Sequence, residues 1–429
     1  MSDSKVVRVG AGVYGGSFLT SEQGVVLPFV APKELVEISA DGDVLRIVEP
    51  STGRVIPSCP HFGTCGGCQY QMIAGGEQLL VKREILRGQL QAAGVATPVE
   101  IETVGSEGYG YRNRIRLRVE RVDDELRFGY NVRTTTEFLP ITTCPIAAPV
   151  LWTTSEKLLA ATKEQEDVAF WMNAASEVEF FCNDDLTRVQ VTMSCAPRTK
   201  AKQGSLQRCF AALQQSAAEI VGLTAIASDP RTGPTGRTLD AVGSAGLNYR
   251  VLDETYWISR GGFFQVNRLL LPELVKLVCD GRGGDVAWDL FAGVGLFSRV
   301  LAGSFAKVTA VEANPIAAGD LQVALKKIGP QHRAIEASTL DFLQKAVVQR
   351  ERPALVVLDP PRAGAGREAC ELLLRVEAQE MVYVSCDPTT LARDLEVLRQ
   401  GYRIASLKLV DLFPQTFHME TVVVLERKG

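Results

Sequence analysis

The sequence contains no run approaching the ~18 uninterrupted apolar residues of a membrane-spanning helix, and its start, MSDSKVVRVG, lacks the apolar centre of a secretory signal. A soluble, cytoplasmic protein with no membrane partner is therefore expected. Low-complexity tracts and internal repeats are also missing, which excludes repeat and fibrous architectures. Positive charge is not in excess: 46 Lys and Arg stand against 50 Asp and Glu, a net charge of -4 with a pI near 5.7. Any nucleic-acid partner must then be held by a local basic surface rather than by global attraction. With no export signal, the ten cysteines argue against a disulfide scaffold and for a metal site, a reactive thiol, or both.

What is present is an ordinary globular composition, 46% hydrophobic and 22% charged over 429 residues. Two or three domains of ~100–200 residues, each with its own core, fit that length. Over residues 1–50, the β-branched runs VVRVG, VVLPFV and LVEIS are broken by GAGVYGG, SEQG and ADGD, which predicts a small β-barrel. GGEQLLVKREILRGQLQAAG follows a cysteine loop and predicts a helix carrying Leu79, Leu80, Leu86 and Leu90 at roughly helical spacing. Residues 51–255 mix alternating segments (YRNRIRLRVER, LRFGYNV, RVQVTM) with helical ones, an α+β central domain. From 256 to 429 the rhythm is strand, glycine turn, helix, strand. That predicts an α/β, Rossmann-like domain whose ligands lie at the carboxyl ends of parallel strands.

Within that last domain, DLFAGVGLFS sets Gly293 and Gly295 between a strand and a helix, where small residues let a nucleotide approach the backbone. A dinucleotide fingerprint would need a third glycine where Ser298 stands, and no phosphate-loop lysine follows. Glu312 ends the next strand, where a carboxylate can accept from both ribose hydroxyls. Asp359 in LDPPRAG and Cys386 in SCDPTTLARDL end two further strands. The final segments, ASLKLVDLF and ETVVVLERK, read as a hairpin, so the last strand runs antiparallel and Glu420, its first residue, returns to the same edge. A thiol and two carboxylates beside a nucleotide-type cofactor form an acid, base and nucleophile set.

Cys59, Cys65 and Cys68 cluster in CPHFGTCGGCQYQ, with Cys144 in TTCPIAAP, and four thiolates suit either tetrahedral zinc or an iron–sulfur cluster. Cys182, Cys195, Cys209, Cys279 and Cys370 lack such context and are expected in the core. Arg112, Arg114, Arg116 and Arg118 recur at every second position, so a strand there would gather four guanidiniums into a phosphate-binding stripe; a merely solvated face is the competing reading.

Taken together, FFQVN at 263–267, DLFAGVGLFS, LDPPRAG, SCDPTTLARDL and HMETVVVL resemble the S-adenosylmethionine-dependent RNA uracil-5-methyltransferases, and YGYRNR with the cysteine loop extends the resemblance upstream. The resemblance implies a class I methyltransferase domain in which Cys386 is the nucleophile and Glu420 the base. It also implies that Phe291, Gly293, Glu312 and Asp341 hold S-adenosylmethionine. Gln265 would lie between cofactor and base, Phe263 would stack, and Asp359 and Arg362 would contact the uracil ring. It further implies that Arg112 and Arg114 face RNA, and that Cys59, Cys65, Cys68 and Cys144 bind a 4Fe-4S cluster. The amino-terminal segment resembles a TRAM domain. The iron–sulfur-containing members point to 23S ribosomal RNA as partner, and a monomer is expected.

A cytosine-5 methyltransferase uses the same thiolate logic but usually carries its Cys in a Pro-Cys or Thr-Cys motif, whereas Ser385 precedes Cys386 here. Methylation of an exocyclic amine would usually place an aromatic residue where Arg362 stands. A non-catalytic iron–sulfur RNA-binding protein leaves the joint presence of Cys386 and Glu420 unexplained.

Overall fold

The structure, a computed structural model, describes residues 4–97, 100–227 and 236–429. The amino-terminal strands Lys5–Val13, Ser17–Thr20, Val26–Pro28, Leu35–Ile38 and Val44–Glu49 form one antiparallel sheet. Its two outer strands, Val26–Pro28 and Val44–Glu49, are not paired with one another, so the sheet curls without the hydrogen-bonded closure that the barrel expectation implied. The helix Gly75–Ala92 follows the cysteine loop. Its inward face is Gln78, Val81, Lys82, Ile85, Leu86 and Leu90, while Leu80 points out, so two polar residues lie on the buried stripe.

In the central domain, seven strands form a sheet in which only Val189–Cys195 and Ile220–Ala227 run parallel. The helices Pro149–Ala161, Glu166–Ala174 and Ser205–Ser216 cover it around a core of Trp171, Phe180, Val191 and Leu223. This is the α+β unit expected from the sequence.

The carboxy-terminal sheet has eight strands. Arg333–Glu336, Phe305–Glu312, Gly284–Leu290, Leu355–Leu358 and Glu380–Ser385 are parallel in that spatial order, and Glu420–Arg427 runs antiparallel between Glu380–Ser385 and Tyr402–Val410. The central parallel strands Leu355–Leu358 and Glu380–Ser385 are nearly continuous apolar runs, as strands covered on both faces must be, with Leu355–Leu358 buried throughout, whereas the edge strand Arg333–Glu336 is not. One edge departs from the sequence-based boundary. Ile101–Val104, from within the expected central domain, pairs parallel with Tyr402–Val410 and extends this sheet. Four residues carry too little periodicity to reveal that assignment, which is decided by an open strand edge some three hundred positions later.

Candidate active site

The register of the antiparallel strand builds the site. Ser385 is paired with Thr421, so the next residues outward, Cys386 and Glu420, meet at the carboxyl edge of the sheet. Asp359 follows Leu355–Leu358 at the same edge and accepts a hydrogen bond from Gln265 Nε2 at 3.2 Å. Glu420 is almost fully buried, and its Oε1 has no protein partner. Burial and the Asp359 carboxylate push Glu420 well above the usual carboxylate range; burial raises Asp359 itself to about 7. Two recessed carboxyls so close cannot both ionise readily, so one of them holds a proton into the neutral range. Cys386 is half-buried, and burial, with Glu420 and Asp359 adding to it, pushes its thiol up to about 12, against a smaller lowering by the Arg362 guanidinium.

The loop from Asp359 to Gly366 is shaped by the helix Pro388–Leu398. Thr390 Oγ1 donates to the Arg362 carbonyl (3.0 Å), Arg393 Nη2 to the Ala363 carbonyl (2.8 Å), and buried Asp394 accepts from the Ala365 and Gly366 amides. Arg362 is thereby held exposed, with its Nη2 3.4–3.5 Å from the His418 ring nitrogens. Phe263 is 66% exposed, an unusual state for a phenylalanine and one that leaves its ring open to stacking. The segment bearing Phe263 and Gln265 is pinned by Asn113, whose Nδ2 donates to the Gln265 carbonyl (2.9 Å) and whose amide donates to the Val266 carbonyl (2.9 Å). Asn113 stands in the YRNR motif, where the arginines drew attention and the buried amide did not.

The cofactor side lies beyond the glycine turn. Glu312 accepts from the Gly293 amide (2.8 Å) and the Asn314 amide (2.6 Å), which fixes its carboxylate at the strand end. Gly293 has φ +56° and a Cβ there would meet nothing within 4 Å, whereas a Cβ on Gly295 would stand 2.6 Å from Leu321 Cδ1. Gly295 is thus required by packing, and Gly293 opens onto free space of the kind a nucleoside needs. Phe291 also sits at positive φ, +63°, at the start of this turn. Beneath it, fully buried Asp289 takes a hydrogen bond from Ser298 Oγ (2.5 Å) and keeps Oδ1 unpartnered. Burial lifts Asp289 to about 7. This residue was not singled out from the sequence, although it is the second-last residue of the strand that runs into DLFAGVG. Asp341, expected to hold the cofactor, caps its own helix with Ser338: Ser338 Oγ donates to Asp341 Oδ2 (2.7 Å) and accepts from the Asp341 amide (3.1 Å).

Two of the expected substrate contacts are placed differently. Arg114 is 15% exposed, pairs with Glu179 at 2.9 Å and lies 4.2 Å over the Phe181 ring. Arg116 pairs with Glu177 (3.1 Å) and Glu179 (3.0 Å), and Arg118 with Glu120. The alternation did bring three of the guanidiniums onto one strand, Arg114–Val122, but the neighbouring strand Ala175–Cys182 supplies carboxylates to Arg114 and Arg116, and Glu120 of the same strand pairs with Arg118, so they are not a free phosphate stripe. Arg112 precedes that strand and turns toward the cysteines, its Nε buried without a partner.

Cys59, Cys65, Cys68 and Cys144 all line one cavity of about 220 Å³, together with Arg112, Tyr130 and His418. Tyr130 Oη donates to Cys144 Sγ (3.8 Å) and the Gly67 amide to Cys65 Sγ (3.4 Å). Burial pushes Cys68 up to about 12 and raises Cys65 and Cys144, so the thiols keep their protons until something binds them. Among the described residues no three His, Cys, Asp or Glu side chains converge as a single-ion site. The four thiols instead share the lining of one cavity. The remaining cysteines, Cys182, Cys195, Cys209, Cys279 and Cys370, are buried, as core residues should be.

Comparison with known proteins gives the family and the fold. Residues 238–428 match the family model "tRNA (Uracil-5-)-methyltransferase". An uncharacterized RNA methyltransferase of Aquifex aeolicus is 31% identical over 97% of both chains. The 23S rRNA (uracil(1939)-C(5))-methyltransferase RlmD of a Marinomonas species is 30% identical, covering 90% of this chain and 84% of the relative. The chain belongs to the S-adenosylmethionine-dependent RNA uracil-5-methyltransferase family. The methyltransferase also shares its fold with the Pyrococcus abyssi tRNA (uracil-54, C5)-methyltransferase solved with S-adenosyl-L-homocysteine, at a TM-score of 0.74 and 22% identity, covering 99% and 100% of the two chains. No helix of the methyltransferase among the described residues is long and apolar enough to cross a membrane.

Proposed function

We propose that the methyltransferase methylates carbon 5 of a uridine in 23S ribosomal RNA through a transient bond between Cys386 Sγ and carbon 6 of the base. The observation that carries this reading is the convergence of Cys386, Glu420 and Asp359 at one sheet edge, beside the opening at Gly293. S-adenosylmethionine supplies an electrophilic methyl group on a sulfonium, and Gly293, Glu312 and Phe291 are placed to hold it. Cys386 thiolate adds to carbon 6, which leaves an enolate whose carbon 5 attacks the methyl group. Glu420 then takes the proton from carbon 5, and the carbon–sulfur bond breaks to restore the thiolate and the aromatic ring. In this reading Gln265 and Asp359 hydrogen-bond the ring, Arg362 anchors it, and Phe263 stacks on it. Glu420 takes the carbon 5 proton in its ionised form, and its raised pKa makes that carboxylate a stronger base, while the Arg362 guanidinium acts on Cys386 in the direction that favours the thiolate.

Cys59, Cys65, Cys68 and Cys144 are proposed as ligands of a 4Fe-4S cluster. Four cysteines around a cavity of about 220 Å³ fit a bulky cubane better than a single zinc ion, which draws its sulfurs to ~2.3 Å from one point. The RlmD relative supports ribosomal RNA as the substrate. Mapping 5-methyluridine in ribosomal and transfer RNA from a deletion strain tests the reading. Loss of one 5-methyluridine from 23S RNA is the expected result; an intact 23S pattern with a loss from transfer RNA overturns the assignment of substrate.

A further inference from the structure

The strand Lys5–Val13 runs into a turn whose residues leave the amino-terminal sheet and enter the catalytic domain. Tyr14 Oη donates to Asp387 Oδ2 at 3.0 Å, across 373 positions of sequence. Asp387 directly follows Cys386. Its other oxygen, Oδ1, caps the helix Pro388–Leu398 by accepting from the Thr389 (2.9 Å) and Thr390 (3.0 Å) amides. The Tyr14 ring meets Phe417 edge-on at 5.4 Å, and Phe417 lies 4.1 Å from His418, two residues before Glu420. One side chain therefore touches both the turn that bears the thiol and the loop that leads to the base.

The turn is shaped for this docking. Gly16 is buried at φ +90°, and a Cβ there would lie 2.8 Å from Gln69 Cγ and 3.4 Å from Phe417 Cδ1. A Cβ on Gly12 would lie 2.9 Å from Val81 Cγ1 on the helix Gly75–Ala92. A hairpin tip exposed to solvent has no need of glycine at positions crowded by another domain. Burial and the Asp387 carboxylate hold the Tyr14 hydroxyl protonated, so it remains a donor.

We propose that Tyr14 is a positioning residue for the nucleophile: the amino-terminal sheet completes the active site by fixing Asp387, and through it the Cys386 turn, against the Glu420 loop. This rests on Cys386 being the nucleophile. Within its own domain the turn is held by Ser385 Oγ, which donates to the Asp387 carbonyl (3.0 Å), and by the cap on the helix that follows. Tyr14 supplies the tie from outside, and a thiol displaced by ~1 Å from its target loses rate by about a hundredfold.

The test is single-turnover adduct formation on RNA containing 5-fluorouridine, with saturating S-adenosylmethionine and full-length protein. Tyr14→Phe deletes the hydroxyl and keeps the ring against Phe417. Its adduct rate should fall roughly ten- to a hundredfold, with RNA affinity, cofactor affinity and thermal midpoint unchanged. In an Asp387→Asn background, which retains a helix-capping oxygen, the same substitution should cost far less, because the partner through which it acts is altered. A wild-type adduct rate in Tyr14→Phe, a loss confined to RNA affinity, or an equal loss in both backgrounds overturns the proposal. Failure of the underlying nucleophile assignment looks different: the parent protein forms no adduct, or Cys386→Ala still does.

Discussion

Ser385 and Thr421 are partners in the antiparallel register of Glu380–Ser385 and Glu420–Arg427, and that single pairing sets Cys386 opposite Glu420. A slip of one residue would turn Glu420 to the other face of the sheet and leave the thiol beside Thr421.

From this geometry, Glu420→Gln should still permit thiolate addition and methyl transfer but not release, since the amide cannot accept the carbon 5 proton. Methylated RNA should accumulate as a covalent complex stable to denaturing gels and carrying labelled methyl. A variant that binds RNA and cofactor but makes no adduct places Glu420 earlier in the sequence.

The same substitution should change thiol reactivity. Burial is the larger cause of the raised Cys386 pKa and ionised Glu420 adds to it, so the neutral amide of Glu420→Gln removes the Glu420 contribution and lowers the thiol pKa below about 12, burial still holding it above the ordinary range. At about pH 9 without cofactor, alkylation at Cys386 should therefore be faster in Glu420→Gln than in the parent, because the thiolate is the reactive form. Peptide mapping of the alkylated cysteine checks this, and equal rates contradict it.

Lys82 is fully buried and donates to Asp411 Oδ1 (2.6 Å) and the Phe413 carbonyl (3.0 Å), tying the helix Gly75–Ala92 to the loop before Glu420. Lys82→Met leaves an unpaired buried carboxylate and should destabilise the catalytic domain by about 3–5 kcal/mol in urea unfolding. Adding Asp411→Leu should recover most of that loss.

The two glycines of the cofactor turn should separate. Gly295→Ala drives a methyl group into Leu321 at positive φ and should lower stability by about 1–3 kcal/mol. Gly293→Ala meets open space and costs about 1–2 kcal/mol of backbone strain at φ +56°, but should weaken S-adenosylmethionine binding strongly in calorimetry.

Protein purified without oxygen should be brown and hold roughly four irons per chain with matching labile sulfide. Cys68→Ser should lose most of that iron. Stoichiometric zinc without sulfide would refute the cluster.

Among these residues, the ones legible from sequence are those whose role follows from local chain order. Gly293, Glu312, Asp359 and Cys386 each lie at or just past the end of a strand, and short-range alternation of strand, turn and helix is enough to place them at one edge. Glu420 required one step more, the antiparallel return of the last hairpin, and the register agrees with it. Five residues were not legible in that way: Tyr14, Asn113, Lys82, Asp289 and His418. Four of them work through partners far away in sequence, and a lone Tyr or Lys carries no mark of the residue it will meet. The arginines at 114, 116 and 118 show the limit most clearly. Their spacing determines that they share a face, but Glu177 and Glu179 on the adjacent strand, with Glu120 on their own, decide that the face is neutralised. The sequence by itself thus determined the strand ends and the chemistry available there, because backbone periodicity is local. Tertiary structure decided which charges are paired, which carboxyls keep their protons and which domain closes the pocket, because burial and Coulomb interaction depend on distance in space rather than along the chain.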